Sequence, residues 1–153
     1  MVSDAGTPGI SDPAYNLVKE AVEASIPVVP VPGATAAIAG LSVSGLPTDR
    51  FVFEGFLPVK KGRKKRLTLL STEPRTIILY EAPHRLLRTL SDIREMLGDR
   101  SIVVCRELTK KFEETLHGSV SEIMEIFSSR KIKGEFVLII KGHSEKNDKH
   151  IRN

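Results

Sequence analysis

Segments typical of buried strands alternate with segments of helical periodicity along most of this chain. The strand-like segments are short, apolar and rich in β-branched residues, and the helical segments repeat apolar residues at three- and four-residue spacing. This order is typical of an α/β fold, and no internal repeat accompanies it. The predicted strands are 26–31, 51–53, 76–80, 101–105 and 135–141, and the predicted helices are 12–25, 34–44, 64–71, 83–97 and 119–127.

Capping residues mark the ends of several predicted helices. Asp12 is a typical N-cap residue, and Pro13 fits the first position of the helix that follows. Ser119 and Glu122 have the spacing of a capping box, and Gly98 is placed to end the fourth helix.

The uncharged stretch 24–48 is long enough to suggest a membrane span by hydropathy alone. Pro27, Pro30 and Pro32, followed by Gly33, would interrupt such a helix. The stretch therefore predicts a strand at a sheet edge, a turn, and a helix of small residues that can pack closely against its neighbours.

The net charge of +4 arises from one segment of the 153 residues. Residues 60–66, called the basic segment below, carry six positive charges, which leaves 4 − 6 = −2 for the rest of the chain. Such a segment can bind a phosphate backbone, although an isolated charge run is more often a solvated loop. The absence of tryptophan and the aromatic content of 5% disfavour an aromatic platform for single-stranded nucleic acid.

Cysteine and histidine usage excludes two further kinds of site. Cys105 is the single cysteine, so neither an internal disulfide nor a cysteine metal cluster is expected, and the cytosol is the simplest compartment. His117, His143 and His150 lack metal-ligand spacing, so no metal site is predicted.

Four loops at the ends of strands concentrate glycine, small and polar residues. In α/β proteins, ligands bind where such loops gather at the carboxyl edge of the sheet. Each loop also has a structural explanation, namely a tight turn, close helix packing, an exposed histidine or a solvated charged turn. The loops are residues 3–13, 32–37, 80–85 and 106–111.

The chain divides at residues 45–49, where its helical pattern breaks. Residues 1–48 are expected to be the C-terminal part of a first α/β domain. Residues 49–142 are expected to form a complete second α/β domain, and 143–153 a disordered tail. The opening loop has the character of a loop after a strand, so we expect a preceding segment that this chain lacks.

Seven short motifs in order give the chain a resemblance to a known family. The string is similar to the ribosomal RNA small subunit methyltransferase I branch of the tetrapyrrole methylase superfamily, over residues 2–142. The motifs are SDAGTPGISDP (3–13), PGATA (32–36), GLP (45–47), FEGFLP (53–58), YEAPHR (80–85), CRELTK (105–110) and GE (134–135).

The resemblance implies a two-domain α/β protein, generally a homodimer, that binds S-adenosylmethionine in the cleft between its domains. It implies methyl transfer to the ribose 2′-hydroxyl of a cytidine in small-subunit rRNA. By resemblance, the cofactor residues are Asp4, Ala5, Gly6, Thr7, Pro8, Ala34, Thr35, Ala36, Tyr80, Glu81 and Ala82. The family's leading strand and first glycine-rich loop are missing, so exposed strand edges and apolar surface are expected in residues 1–48.

The ribose hydroxyl is a poor nucleophile, so transfer needs alignment and a group that removes or withdraws its proton. The candidates in the strand-end loops are Glu54, Glu81, His84, Glu107 and Lys110. The cations expected to contact rRNA phosphates are Lys60, Lys61, Arg63, Lys64, Lys65 and Arg66.

Two other functions remain open from the sequence. A methylase of tetrapyrrole rings would need a large apolar cleft and has no use for six clustered cations. A non-catalytic fragment or RNA-binding module would keep only the second domain and its basic surface.

Overall fold

The computed structural model describes residues 1–3, 6–11 and 13–144. In this part of the chain five strands form one mixed sheet. They are β1 (Phe51–Phe56), β2 (Thr76–Glu81), β3 (Ser101–Arg106), β4 (Glu114–Ser119) and β5 (Phe136–Ile140). Their order is β1-β2-β5-β3-β4; β1 pairs with β2 in parallel, and the other pairs are antiparallel. The predicted α/β class is confirmed.

Five α-helices accompany the sheet in the described residues. They are α1 (Tyr15–Glu23), α2 (Ala36–Val43), α3 (Arg63–Ser71), α4 (Leu86–Leu97) and α5 (Val120–Ser128). The predicted capping box is confirmed, since Ser119 and Glu122 exchange both hydrogen bonds at the start of α5.

The sheet separates two apolar clusters because successive strand residues point to opposite faces. One face carries Ile77, Leu79 and Leu138 against α3, α4 and α5. The other carries Ile78 and Ile139 against α2. The central strands β2 and β5 are therefore covered on both sides, which explains why they appear in sequence as continuous apolar runs.

Helix α2 approaches the sheet very closely. A Cβ added at Gly40 would lie 3.2 Å from the Cδ1 atom of Ile139 and 3.3 Å from the Cγ1 atom of Val137. This contact confirms the close packing predicted for the helix of small residues.

Two predictions for residues 12–31 are wrong. Helix α1 begins at Tyr15 with Ala14 at its N-cap position, so Pro13 precedes the helix, and Asp12 lies outside the described residues. The predicted strand 26–31 is irregular and exposed. Its prolines remove backbone donors, and no described strand lies beside it to accept pairing.

The structure also differs from the predictions at two elements within residues 83–119. Pro83 begins a 3₁₀ turn, Pro83–Arg85, and the α-helix starts only at Leu86. Strand β4 follows the charged connection 106–113 and was missed, because its polar sequence gives little alternation. Its backbone pairing with β3 decides its conformation.

Apolar side chains are widely exposed in the first 43 residues. Helix α1 has no buried residue within its bounds, and Val29 and Val31 are 80% and 82% exposed. This agrees with the expectation of exposed apolar surface in residues 1–48. Every helix in the described part of the chain is too short or too polar to cross a lipid bilayer.

Candidate functional site

Three strands end at the same edge of the sheet. Strands β1 and β2 are parallel, and both β2 and β3 run antiparallel to β5, so β1, β2 and β3 share one direction. The loops that follow them, and the segment that enters β5, therefore meet at one edge. This is the edge at which α/β proteins place their ligands.

The opening loop contacts the turn that precedes α2. The Thr7 backbone N–H donates to the Ala34 carbonyl oxygen at 3.0 Å, and the Thr7 hydroxyl donates to the same oxygen at 3.3 Å. Gly6 has a φ of +75°, and a Cβ there would lie 3.1 Å from that oxygen. The structure thus brings Gly6, Thr7 and Ala34 together, with Pro8 next in the same loop; Asp4 and Ala5 lie outside the described residues. That these residues bind a cofactor stays a prediction.

The same loop also reaches strand β1. A Cβ added at Gly55 would lie 3.1 Å from the Ser11 hydroxyl oxygen, and Gly55 has a φ of +60° at a bulge in the pairing with β2. Both residues belong to quoted motifs, but neither was expected at the site, because no spacing rule connects the two loops.

Tyr80 connects the sheet to the start of α2. Its hydroxyl oxygen accepts a hydrogen bond from the Ala37 backbone N–H at 3.0 Å, while the Thr35 hydroxyl caps the same helix by accepting from Ile38. The Tyr80 ring packs edge-on against Phe53, with 5.0 Å between ring centres. Burial raises the pKa of the Tyr80 hydroxyl, so it remains a neutral acceptor.

Loop 6–11, turn 33–37, Gly55 and Tyr80 therefore lie next to one another; we call them the strand-end site. Ala36 opens α2 within this site. Phe56, half exposed, lies beside Tyr80 with 5.8 Å between ring centres.

Glu81 points to the opposite face of the sheet from Tyr80, since the two are consecutive strand residues. Its side chain is fully buried, and its two carboxylate oxygens accept from the Thr89 hydroxyl at 2.5 Å and from the Ala82 backbone N–H at 2.9 Å. The carboxylate also pairs with Arg85 at 3.3 Å. The expected grouping of Tyr80, Glu81 and Ala82 on one ligand surface is therefore divided by the strand geometry.

Arg63 does not belong to the exposed face of the basic segment, contrary to expectation. Its residue is 5% exposed, and its guanidinium donates to Asp92 and to Thr89. Arg63 shares the buried face of α3 with Leu67 and Leu70. That helical spacing was available in the sequence, but the charge run concealed it.

The remaining cations of the basic segment are on the surface. Arg66 pairs with Glu54 at 3.2 Å, which also engages that candidate carboxylate. The exposed lysines of the segment are Lys60, Lys61, Lys64 and Lys65.

Glu107 and Lys110 are bound to each other after β3. The Lys110 Nζ atom lies 3.1 Å from a Glu107 carboxylate oxygen and 2.9 Å from one of Glu135. The backbone N–H of Glu135 and the Lys110 ammonium lower the pKa of Glu107. The two carboxylates raise the pKa of Lys110, with Glu135 contributing most, so both groups stay ionised.

His84 is exposed in the turn after β2. Among the described residues none forms a hydrogen bond or an ion pair with it. It is thus the one catalytic candidate that those residues leave unengaged, whereas Glu54, Glu81, Glu107 and Lys110 each have a charged partner.

Two open hollows in the described surface lie away from the strand-end site. One, of about 580 Å³, is bordered by His117 and residues of α5, and the other, of about 410 Å³, lies between 47–50 and 74–76. Neither contains a residue expected to bind cofactor.

A family model and individual relatives of this chain indicate the same family. The family described as Tetrapyrrole (Corrin/Porphyrin) Methylases matches residues 1–124. Proteins named ribosomal RNA small subunit methyltransferase I are similar over most of the chain. The one from Synechocystis is 56% identical and covers 93% of this chain and 52% of its own length; the one from Escherichia coli O157:H7 is 52% identical and covers 97% and 53%. The chain thus spans about half the length of these curated relatives.

Solved structures share the fold at low sequence identity. The methyltransferase CobJ has a TM-score of 0.67 at 20% identity, covering 90% of this chain and 62% of its own. Cobalt precorrin-4 methyltransferase CbiF has a TM-score of 0.66 at 17% identity, covering 89% and 61%. Uroporphyrin-III C-methyltransferase from Thermus thermophilus, solved with S-adenosylhomocysteine, has a TM-score of 0.60 at 19% identity, covering 89% and 62%.

Proposed function

Since this chain belongs to the tetrapyrrole methylase family, we propose that it is the part of a methyltransferase that contacts S-adenosylmethionine and small-subunit rRNA. The names of its relatives, which describe methyltransferases of small-subunit ribosomal RNA, support this function. The observation that carries it is the strand-end site, at the sheet edge from which the basic segment also departs.

The residues of the strand-end site fit parts of such a cofactor. The small residues of turn 33–37 would leave room for a flat adenine, because short side chains let a ligand come close to the backbone. The half-exposed ring of Phe56 is suited to a positively charged sulfonium, since aromatic faces attract cations. When bound, the cofactor supplies a methyl group on that sulfonium.

The chain's own residues would bind and align the reactants. Tyr80 holds the start of α2 against the sheet, and Thr35 caps that helix, so the turn beside them keeps one shape. The exposed lysines of the basic segment would hold RNA phosphates. We assign the acceptor as the ribose 2′-hydroxyl of a cytidine, the assembly as a homodimer, and His84 as the group that takes the hydroxyl proton.

The ring-methylase alternative uses the same fold but not the same surface. Four lysines in the basic segment are exposed, which suits the repeated phosphates of an RNA backbone, and the relatives at about 50% identity are named for small-subunit ribosomal RNA. We therefore favour an RNA substrate over a tetrapyrrole.

A calorimetric titration with S-adenosylmethionine tests the cofactor site. The wild-type chain should bind, and Tyr80→Phe should weaken binding about three- to tenfold, because the Ala37 N–H loses its partly buried acceptor. Tyr15→Phe is the matched control, since the Tyr15 side chain is 75% exposed and should change nothing.

Transfer of labelled methyl groups to purified small ribosomal subunits then tests the reaction. His84→Ala should abolish transfer and leave cofactor affinity unchanged. Failure of the wild-type chain to bind the cofactor, together with retained RNA binding, would instead support the non-catalytic RNA-binding module.

A further inference from the structure

A buried carboxylate at the end of β2 has no part in the strand-end site. Glu81 is 1% exposed and faces the layer of α3 and α4. A charge in that position is costly unless it is paired and fully hydrogen bonded, and every buried polar side-chain atom of the described residues has a partner. The contacts of Glu81 therefore show which neighbouring groups its carboxylate holds in place.

Thr89 on α4 connects Glu81 to the basic segment. Its hydroxyl donates to a Glu81 carboxylate oxygen at 2.5 Å and accepts from the Nη2 atom of Arg63 at 2.8 Å. The Nε atom of Arg63 donates to Asp92 at 2.7 Å. The guanidinium is thus held by two residues of α4, one of which is bonded to Glu81.

The loop between β1 and the basic segment is fastened by the same group. Arg63 donates to the Pro58 carbonyl oxygen at 3.2 Å. Arg85, which pairs with Glu81, donates to the Leu57 carbonyl oxygen at 2.5 Å. The carbonyl oxygens of Leu57 and Pro58 therefore accept hydrogen bonds from two arginines. Arg85 pairs with Glu81 directly, and Arg63 is connected to Glu81 through Thr89.

We infer that Glu81, Thr89 and Arg63 are positioning residues that hold the exposed lysines of the basic segment in an RNA-binding arrangement. The inference rests on the proposed function, in which those lysines contact RNA phosphates. Lys60 and Lys61 lie in the loop, whereas Lys64 and Lys65 lie in the first turn of α3, so a free loop would place the two pairs in many arrangements relative to each other. Because Arg63 is held in place between the two pairs, the lysines already have one arrangement before RNA binds. Less conformational entropy is then lost on binding.

Substitution of Thr89 tests the connection without removing a charge. Thr89→Val keeps the shape of the side chain but lacks the hydroxyl between Glu81 and Arg63, whereas Thr89→Ser retains it. A second background, K60Q/K61Q/K64Q/K65Q, removes the exposed lysines themselves. Ser119→Ala, which breaks the capping box of α5 far from this group, is the control for lost stability.

Binding to purified small-subunit rRNA is measured for each variant over a range of salt concentrations. The logarithm of the wild-type binding constant should fall linearly with the logarithm of the salt concentration. The magnitude of this slope should decrease by about 3 when the four lysines are neutralised. Thr89→Val should weaken binding about three- to tenfold in the wild-type background. Thr89→Ser and Ser119→Ala should bind like wild type.

The double comparison separates positioning from a general structural effect. If Thr89 acts through the four exposed lysines, Thr89→Val should have no further effect on RNA affinity in the K60Q/K61Q/K64Q/K65Q background. An equal loss in both backgrounds, or no loss in either, would overturn the positioning role and leave the proposed function intact. Salt-independent or absent binding by wild type would overturn both.

Discussion

The contact between Gly40 and the sheet predicts that a large side chain there will separate α2 from the strands. A Cβ at this position already lies 3.2 Å from Ile139 and 3.5 Å from the sulfur of Cys105. Gly40→Leu adds three further carbons where no space exists. Overpacking of this kind costs about 1–3 kcal/mol, which corresponds to an increase of about 5- to 150-fold in the separated population.

Cys105 reports this separation directly. It is the only cysteine of the chain, and its thiol is fully buried beneath α2. Burial also raises its pKa, so the reactive thiolate is scarce in the packed state. The rate of labelling by a thiol reagent, measured where circular dichroism shows the protein folded, should therefore rise by the factor above.

Two matched variants control for side-chain size and helix propensity. Ser42→Leu places the same side chain on the exposed face of α2 and should leave the labelling rate unchanged. Gly40→Ala gains about 1 kcal/mol of helix propensity, which offsets a small displacement of Ile139, so its rate should stay close to wild type. Equal rates for Gly40→Leu and wild type, or equal acceleration by Ser42→Leu, would refute the packing argument.

Three further predictions concern stability. Gly134→Ala should destabilise the fold by about 1–3 kcal/mol, measured by urea unfolding, because φ is +91° and the new Cβ would lie 2.5 Å from the Glu107 Cγ atom; wild-type stability would contradict this close approach. Ser119→Ala should cost about 1 kcal/mol and lower Tm, since it removes the α5 cap. Hydrogen bonds from Arg75 lower the Glu73 pKa from 4.5 to about 2. A depressed folded-state pKa stabilises the protein above pH 4.5, and this contribution is lost as pH falls towards 2. The stability difference between wild type and Glu73→Gln should therefore disappear over that range. A difference that persists at the acid end would contradict the assignment.

The exposed apolar surface of residues 15–43 contrasts with the well-packed sheet of residues 51–140. Leu17, Val22 and Val31 are more than half exposed, whereas β5 is buried along its whole length. The chain spans about half the length of its curated relatives. The cofactor affinity of each strand-end variant should therefore be compared with the affinity of the wild-type chain measured under the same conditions.

The cations of the basic segment have two different environments. Charge counting treats its six cations as equivalent, yet Arg63 is buried and the four lysines are exposed. The difference follows from helical geometry, because residues 63, 67 and 70 share the inner face of α3. Similarly, the polar Thr89 within the apolar stripe of α4 marked a buried hydrogen bond that composition alone did not reveal.

The sequence by itself determined most of the alternation of strands and helices in residues 51–140, the capping box of α5 and the family. These depend on local periodicity, on short-range hydrogen bonds and on motifs that act within a few residues. Only the tertiary structure decided that residues 26–31 form no strand, that residues 114–119 form β4, and that Tyr80 meets Ala37 whereas Glu81 meets Thr89. Those outcomes depend on which strand lies beside another and on which partner meets a side chain across the sheet. Such contacts join residues far apart in sequence, so local pattern does not specify them.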